Sequence, residues 1–99
     1  MLLYNITAIV EDEADRRWLE QVEEKYVPAM METGFFVSNR ILKVLNSPNE
    51  GSTYSLQFIL ENIELYNQFI DNAAGKINAE MQQDFKNQAV FFSTLMEFI

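Results

Sequence analysis

Two runs of this sequence alternate with period two, and in each run one side of the alternation is itself mixed. In Leu2 to Val10, Tyr4, Ile6, Ala8 and Val10 share one side; Leu3, Asn5, Thr7 and Ile9 share the other. In Thr53 to Leu60, Tyr54, Leu56, Phe58 and Leu60 oppose Thr53, Ser55, Gln57 and Ile59. Side chains of a strand point alternately to opposite faces. Both runs therefore read as strands with one greasy face and one mixed face. The greasy face needs a layer of helices. The mixed face, a polar stripe within an apolar field, suits neither a dry core nor open water. It suits a partner sheet or a small, partly polar cavity.

The intervening segments supply the helices. Asp12 offers an N-cap with Asp15 three residues on, a weaker relative of the capping box. Trp18, Leu19, Val22 and Tyr26 then recur at helical spacing. Pro28 lacks a backbone donor and should kink the helix or begin a new turn, and Gly34 is placed to end it. Phe35 to Leu45 returns to strand chemistry, with Phe35, Val37, Ile41 and Leu45 on one face and Phe36, Ser38, Arg40, Leu42 and Val44 on the other. The run Asn46 to Ser52 is dense in turn residues and predicts a hairpin loop. Asn62 is a plausible cap for a second helix, whose apolar line is Tyr66, Phe69, Ile70, Ala73, Ile77, Met81 and Phe85. Gly75 interrupts it and marks a bend or a close packing contact. Asn87 and Gln88 end that helix, and Ala89 to Ile99 reads as a last strand.

The order is β-α-β-β-α-β in one domain spanning residues 1–99. Short connections and right-handed crossovers reduce it to one common arrangement. That arrangement is α+β and ferredoxin-like, a four-stranded antiparallel sheet with two helices on one face. Strands one and three become central neighbours, so Asn5, Thr7, Ser55 and Gln57 cluster mid-sheet, away from the helices. Leu3, Ile9, Phe36, Leu42, Val44 and Ile59 are expected on the same bare face. That is too much apolar surface for a comfortable monomer. The economical solution is a twofold homodimer with its sheets face to face, a dimeric α/β barrel. The phase of the last strand stays open, so either Ser93 or Thr94 joins the stripe.

Composition removes whole classes of chemistry. With no histidine and no cysteine, there is no imidazole acid–base catalysis, no Ser-His-Asp triad, no thiolate nucleophile, no disulfide and no His- or Cys-ligated metal. A formal charge of −8 argues against nucleic acid, whose phosphates demand Lys and Arg, and against an anionic membrane surface. The first residues read as a strand with no basic leader region, and no stretch approaches the roughly 20 apolar residues of a membrane span. A cytoplasmic, bacterial-type protein without cofactor or metal is the expectation.

Among individual residues, Arg40 is the sharpest candidate. It points into the mixed face beside Ser55 and Gln57, where a guanidinium can grip a carboxylate or enolate oxygen bidentately; the structural alternative is an ion pair with Glu97 or with a carboxylate of another chain. Tyr26 is either a donor at the mouth of the barrel or an amphipathic core tyrosine with a wet hydroxyl. Asn5, Thr7, Ser38, Ser55 and Gln57 can orient a ligand or hold water, and none is a strong base. Trp18 and the methionines Met30, Met31, Met81 and Met96 read as packing. Glu11, Asp12 and Glu13 read as helix-start electrostatics rather than a cation site.

Tyr4 to Val10, Trp18, the Tyr26-Val27-Pro28 step leading to Gly34, the Phe36-x-Ser38-x-Arg40 pattern and Thr53 to Phe58 resemble the DUF4286 family of unknown function over essentially the whole chain. More distantly the sequence is similar to the dimeric α/β-barrel superfamily, which includes monooxygenase-like and EthD-like proteins. That resemblance implies a dimer and allows two readings. One is a non-enzymatic small-molecule-binding or interaction module. The other is a cofactor-independent monooxygenase- or isomerase-like enzyme. Several relatives carry His two residues before a helix-end Pro, where this chain has Tyr26, and the imidazole is lost with it.

Overall fold

A computed structural model describes residues 1–99. Four strands, β1 (Leu2–Val10), β2 (Ser38–Lys43), β3 (Ser52–Leu60) and β4 (Ala89–Glu97), form one antiparallel sheet in the order β2-β3-β1-β4. The two alternating runs are thus the central pair. Leu2, Tyr4, Ile6, Ala8 and Val10 of β1, with Tyr54, Leu56, Phe58 and Leu60 of β3, are all buried in a single core under both helices.

The first helix is a composite. A 3-10 turn (Asp12–Ala14) leads into α-helix (Asp15–Gln21), a π-helical turn (Val22–Tyr26) and a second α segment (Val27–Glu32). From the first α segment on, its buried residues, Trp18, Val22, Tyr26 and Met30, recur at strict intervals of four. In a 3.6-residue helix such a line drifts about 40° per step. The wider π-turn absorbs that drift and keeps all four on the sheet. The second helix uses the same device. An α segment (Ile63–Phe69), a π-turn (Ile70–Ala74) and a longer α segment (Gly75–Asp84) place Phe69, Ala74, Ile77 and Met81 inward. The five-residue step from Phe69 to Ala74 spans the π-turn, and Ile70, expected inward, is 44% exposed.

The ends follow the sequence unevenly. Asn62 caps the second helix, its Oδ1 accepting from the Leu65 N–H at 3.0 Å. Gly34 ends the first at φ +78°, a left-handed conformation open to glycine without steric cost. Asp12 does not cap. Glu11 occupies that position without a side-chain hydrogen bond, and Asp15 instead accepts from the Tyr54 hydroxyl, pinning the start of the helix to β3.

Phe36 corrects the expectation for the second strand. The ladder begins at Ser38, not Phe35, so the alternation does not extend back to Phe36. The chain bends there, with the Val37 N–H bonded to the Ile59 carbonyl at 2.8 Å. The Phe36 ring turns under the helices, 4.9 Å from the Phe69 centroid and 5.3 Å from that of Phe58. Met96, expected as core filler, lies opposite Leu3 on the bare face and is 42% exposed. Met30 and Met81 are buried as expected.

Candidate functional site: a polar row on the bare sheet face

The registers place four polar side chains in one line across the sheet. Arg40 of β2 lies opposite Gln57 of β3, Gln57 opposite Asn5 of β1, and Asn5 opposite Thr94 of β4. The next row is Leu42, Ser55, Thr7 and Phe92. Apolar positions flank these rows. Ile59, Leu3 and Met96 lie on one side, with Ser38 at their end, and Ile9 and Val90 on the other. Thr94 therefore completes the stripe, and Ser93 falls on the helix side opposite Ile6. The sequence left this open because both phases of the last strand carry apolar residues around one hydroxyl.

A connected chain of hydrogen bonds zigzags between these two rows and leaves Thr94 outside it. Arg40 donates from Nη2 to Gln57 Oε1 at 3.0 Å. Gln57 donates from Nε2 to Ser55 Oγ at 3.2 Å. The Ser55 hydroxyl donates to Asn5 Oδ1, and Asn5 Nδ2 donates to Thr7 Oγ1 at 3.0 Å. Every link runs the same way, from the guanidinium at the sheet edge toward the centre. The sense matters, because aligned hydrogen bonds polarise one another. Asn5 is 8% exposed, screened by its neighbours although nothing covers the face. Five of the seven candidates, Arg40, Gln57, Ser55, Asn5 and Thr7, are thus brought together. Ser38 stands one row away, where it lines a shallow apolar groove with Met1, Val37, Ile59 and Phe98.

Two expectations are corrected. Glu97 is not the partner of Arg40. It lies on β4, the opposite edge strand, where it pairs with Leu2 of the central β1 and belongs to the helix-side phase, while Arg40 forms no ion pair. Tyr26 does not join the row either. It is buried among Trp18 and Phe85 on the helix side of the sheet. Its hydroxyl donates to Asp84 Oδ2 at 2.6 Å, and Lys25 Nζ reaches the same oxygen at 2.8 Å. Arg17 closes the cluster, donating to the Asp84 carbonyl at 3.2 Å with its guanidinium 4.1 Å from the Phe85 centroid. Burial and donation to a carboxylate push the Tyr26 phenol well above its ordinary range. The bonds from Lys25 and Tyr26 hold the Asp84 carboxyl below its own. A phenol so placed is a neutral donor clamping two helices together, not a proton acceptor.

A small cleft of about 110 Å³ opens between the second helix and β4, lined by residues that include Ile6, Asn78, Met81, Gln82 and the run Phe91-Phe92-Ser93. Glu11, Asp12 and Glu13 border a dip with Glu50, but no three carboxylates converge as metal ligands. No helix is long and apolar enough to cross a membrane.

Fold and face together define a small ferredoxin-like α+β protein whose helix-free sheet surface carries an ordered polar row. The DUF4286 family model, a domain of unknown function, matches residues 1–99, and the chain belongs to that family. No curated protein matches the sequence. Among solved structures, the chain is similar to an ethyl tert-butyl ether d (EthD) family protein from Bacillus halodurans C-125, with 14% identity, TM-score 0.74 and full coverage of both chains. It is similar also to a dimeric ferredoxin-like protein from an uncultured marine organism, with 14% identity and TM-score 0.66, covering 99% of this chain and 94% of that one. At these identities the likeness is one of fold.

Proposed function

We propose that this protein is a cytoplasmic homodimer whose two sheets pack bare face to bare face, and that it serves as a non-enzymatic small-molecule-binding module with the polar row lining the enclosed space. The observation that carries the reading is the hydrogen-bonded row itself, set between apolar rows on a face that no helix covers. Phe92 is 53% exposed and Leu42 43%, and contiguous apolar surface of this kind marks an interaction site. The nine-residue edge strand β4 adds to the case. Apart from Glu97 at its end it contains no charged residue and no Pro, the residues that commonly guard a free edge, and closing a barrel removes such edges. The marine neighbour described as dimeric has the same fold, which supports a homodimer here.

An enzyme acting inside the same space needs a proton acceptor beside Arg40. Tyr26, the residue standing where some relatives have His, lies beyond the sheet with its hydroxyl committed to Asp84. The geometry therefore favours binding over chemistry. Native mass spectrometry of gently purified protein tests the reading. A dimer retaining a discrete additional mass is expected, and a monomer, or a dimer that retains no small molecule from cell extract, contradicts it.

A further inference from the structure

We infer that the ligand of this space is a small organic anion, its carboxylate held by Arg40 and its hydrocarbon body resting on the flanking apolar rows. This rests on the face-to-face reading above and adds the chemical class.

The side chains the registers assign to the bare face are aliphatic, aromatic, hydroxyl or amide, with the single exception of Arg40. No Asp or Glu lies among them, although the chain holds fifteen. Pairing two such faces removes two guanidinium groups from water and brings no carboxylate to meet them. Arg cannot relieve this by losing its proton, and a buried charge needs a partner. Within its own chain Arg40 makes one side-chain hydrogen bond, to a neutral amide, which leaves most of its donor fork unused.

The direction of the hydrogen-bond chain reinforces the point. Each link occupies one lone pair of an acceptor, namely Gln57 Oε1, Ser55 Oγ, Asn5 Oδ1 and Thr7 Oγ1 in turn. The largest unused donor capacity lies at the Arg40 guanidinium, the head of the chain and the only charged group in it. A guanidinium fork with most of its donors unpaired is complementary to a carboxylate. Leu42, Ile59 and Phe92 beside the row give the remainder of the molecule an apolar bed, so a hydrophobic monocarboxylate fits better than inorganic phosphate or a sugar acid.

The test is isothermal titration of the intact dimer with octanoate and with octanamide, its neutral counterpart, at constant ionic strength. Light scattering on the same samples reports the mass. Octanoate is expected to bind at least tenfold more tightly than octanamide. Arg40→Gln should erase that preference while the dimer persists, and Arg40→Lys, which keeps the charge but not the fork, should retain part of it. A dimer with equal affinity for both probes, or one whose preference survives Arg40→Gln, overturns the anion and leaves the dimer standing. A monomeric wild-type protein overturns both.

Discussion

Tyr26 and Asp84 are joined by a 2.6 Å hydrogen bond across the two helices, and Lys25 reaches the same carboxylate oxygen. The cluster makes stability depend on pH in two directions. Asp84 titrates lower folded than unfolded, so its contribution is present in full above the ordinary carboxylate value of 3.8 and is lost as pH falls through the lowered folded value. Asp84→Asn should flatten this acid limb of a urea-midpoint profile, and an unchanged limb would contradict the assignment.

At the alkaline end the sign reverses. Tyr26 and Tyr54 both titrate higher folded than unfolded, Tyr54 pushed up to about 12 by burial and its bond to Asp15. Their contribution is complete below the unfolded value of 10.0 and declines as pH rises toward the folded values. Tyr26→Phe should shallow the decline above pH 10.0 while lowering stability at pH 7 by about 1.5–3 kcal/mol, the worth of a hydrogen bond to a charged acceptor. Equal alkaline slopes in the two proteins would sink this account.

Two glycines should respond oppositely to alanine. Gly75 has helical dihedrals, and a Cβ placed there meets nothing within 4 Å. It sits at the junction after the π-turn, not at a close contact, and Gly75→Ala should stabilise by about 0.5–1 kcal/mol. Gly51 has φ +79°, and its Cβ would stand 2.2 Å from the Val10 carbonyl oxygen. Gly51→Ala should destabilise by more than about 1 kcal/mol. Chemical denaturation separates the two, and a shift of the same sign in both would contradict the geometry.

Within the polar row the energetic weight is uneven. Asn5 is 8% exposed and engages Ser55 and Thr7, whereas Thr94 is exposed and lies at the end of the row. Asn5→Ala should lower stability by about 1–3 kcal/mol, because it strands the partners of a buried polar group. Thr94→Val should stay within about 0.5 kcal/mol. Denaturation at one fixed protein concentration decides between them, and equal losses would mean that the chain is not the ordering element of the face.

Much of this was legible in the sequence because period-two alternation is a strong signal. The β1 and β3 runs gave the central pair, and through it the position of Asn5, Thr7, Ser55 and Gln57. Arg40 followed from the same phase in β2. What alternation cannot report is where a strand begins. Phe36 sits two residues before the first paired residue, Ser38, and a single bend sends it to the other side of the sheet. The last strand posed a different difficulty. Val90, Phe92 and Met96 are as apolar as Ala89, Phe91 and Leu95, so pattern alone could not choose between Thr94 and Ser93; the register opposite Asn5 does. Tyr26 was legible as helical and amphipathic, but the partner of its hydroxyl lies 58 residues away, beyond any local pattern. The π-turns were not legible: helical spacing put Ile70 and Ala73 inward, whereas the π-turn carries the buried line from Phe69 to Ala74.

The central claim is that the bare face closes on a second copy of itself. Its most direct test is the mass in solution, by light scattering during gel filtration, of the wild-type chain and of Phe92→Glu. Phe92 lies beside the row, half exposed in the single chain, so the substitution costs the monomer little while placing two carboxylates in the closed interface. The account predicts twice the 11.6 kDa chain mass for the wild type and a folded monomer for the variant. A monomeric wild type, or a variant that dimerises equally well, would contradict it.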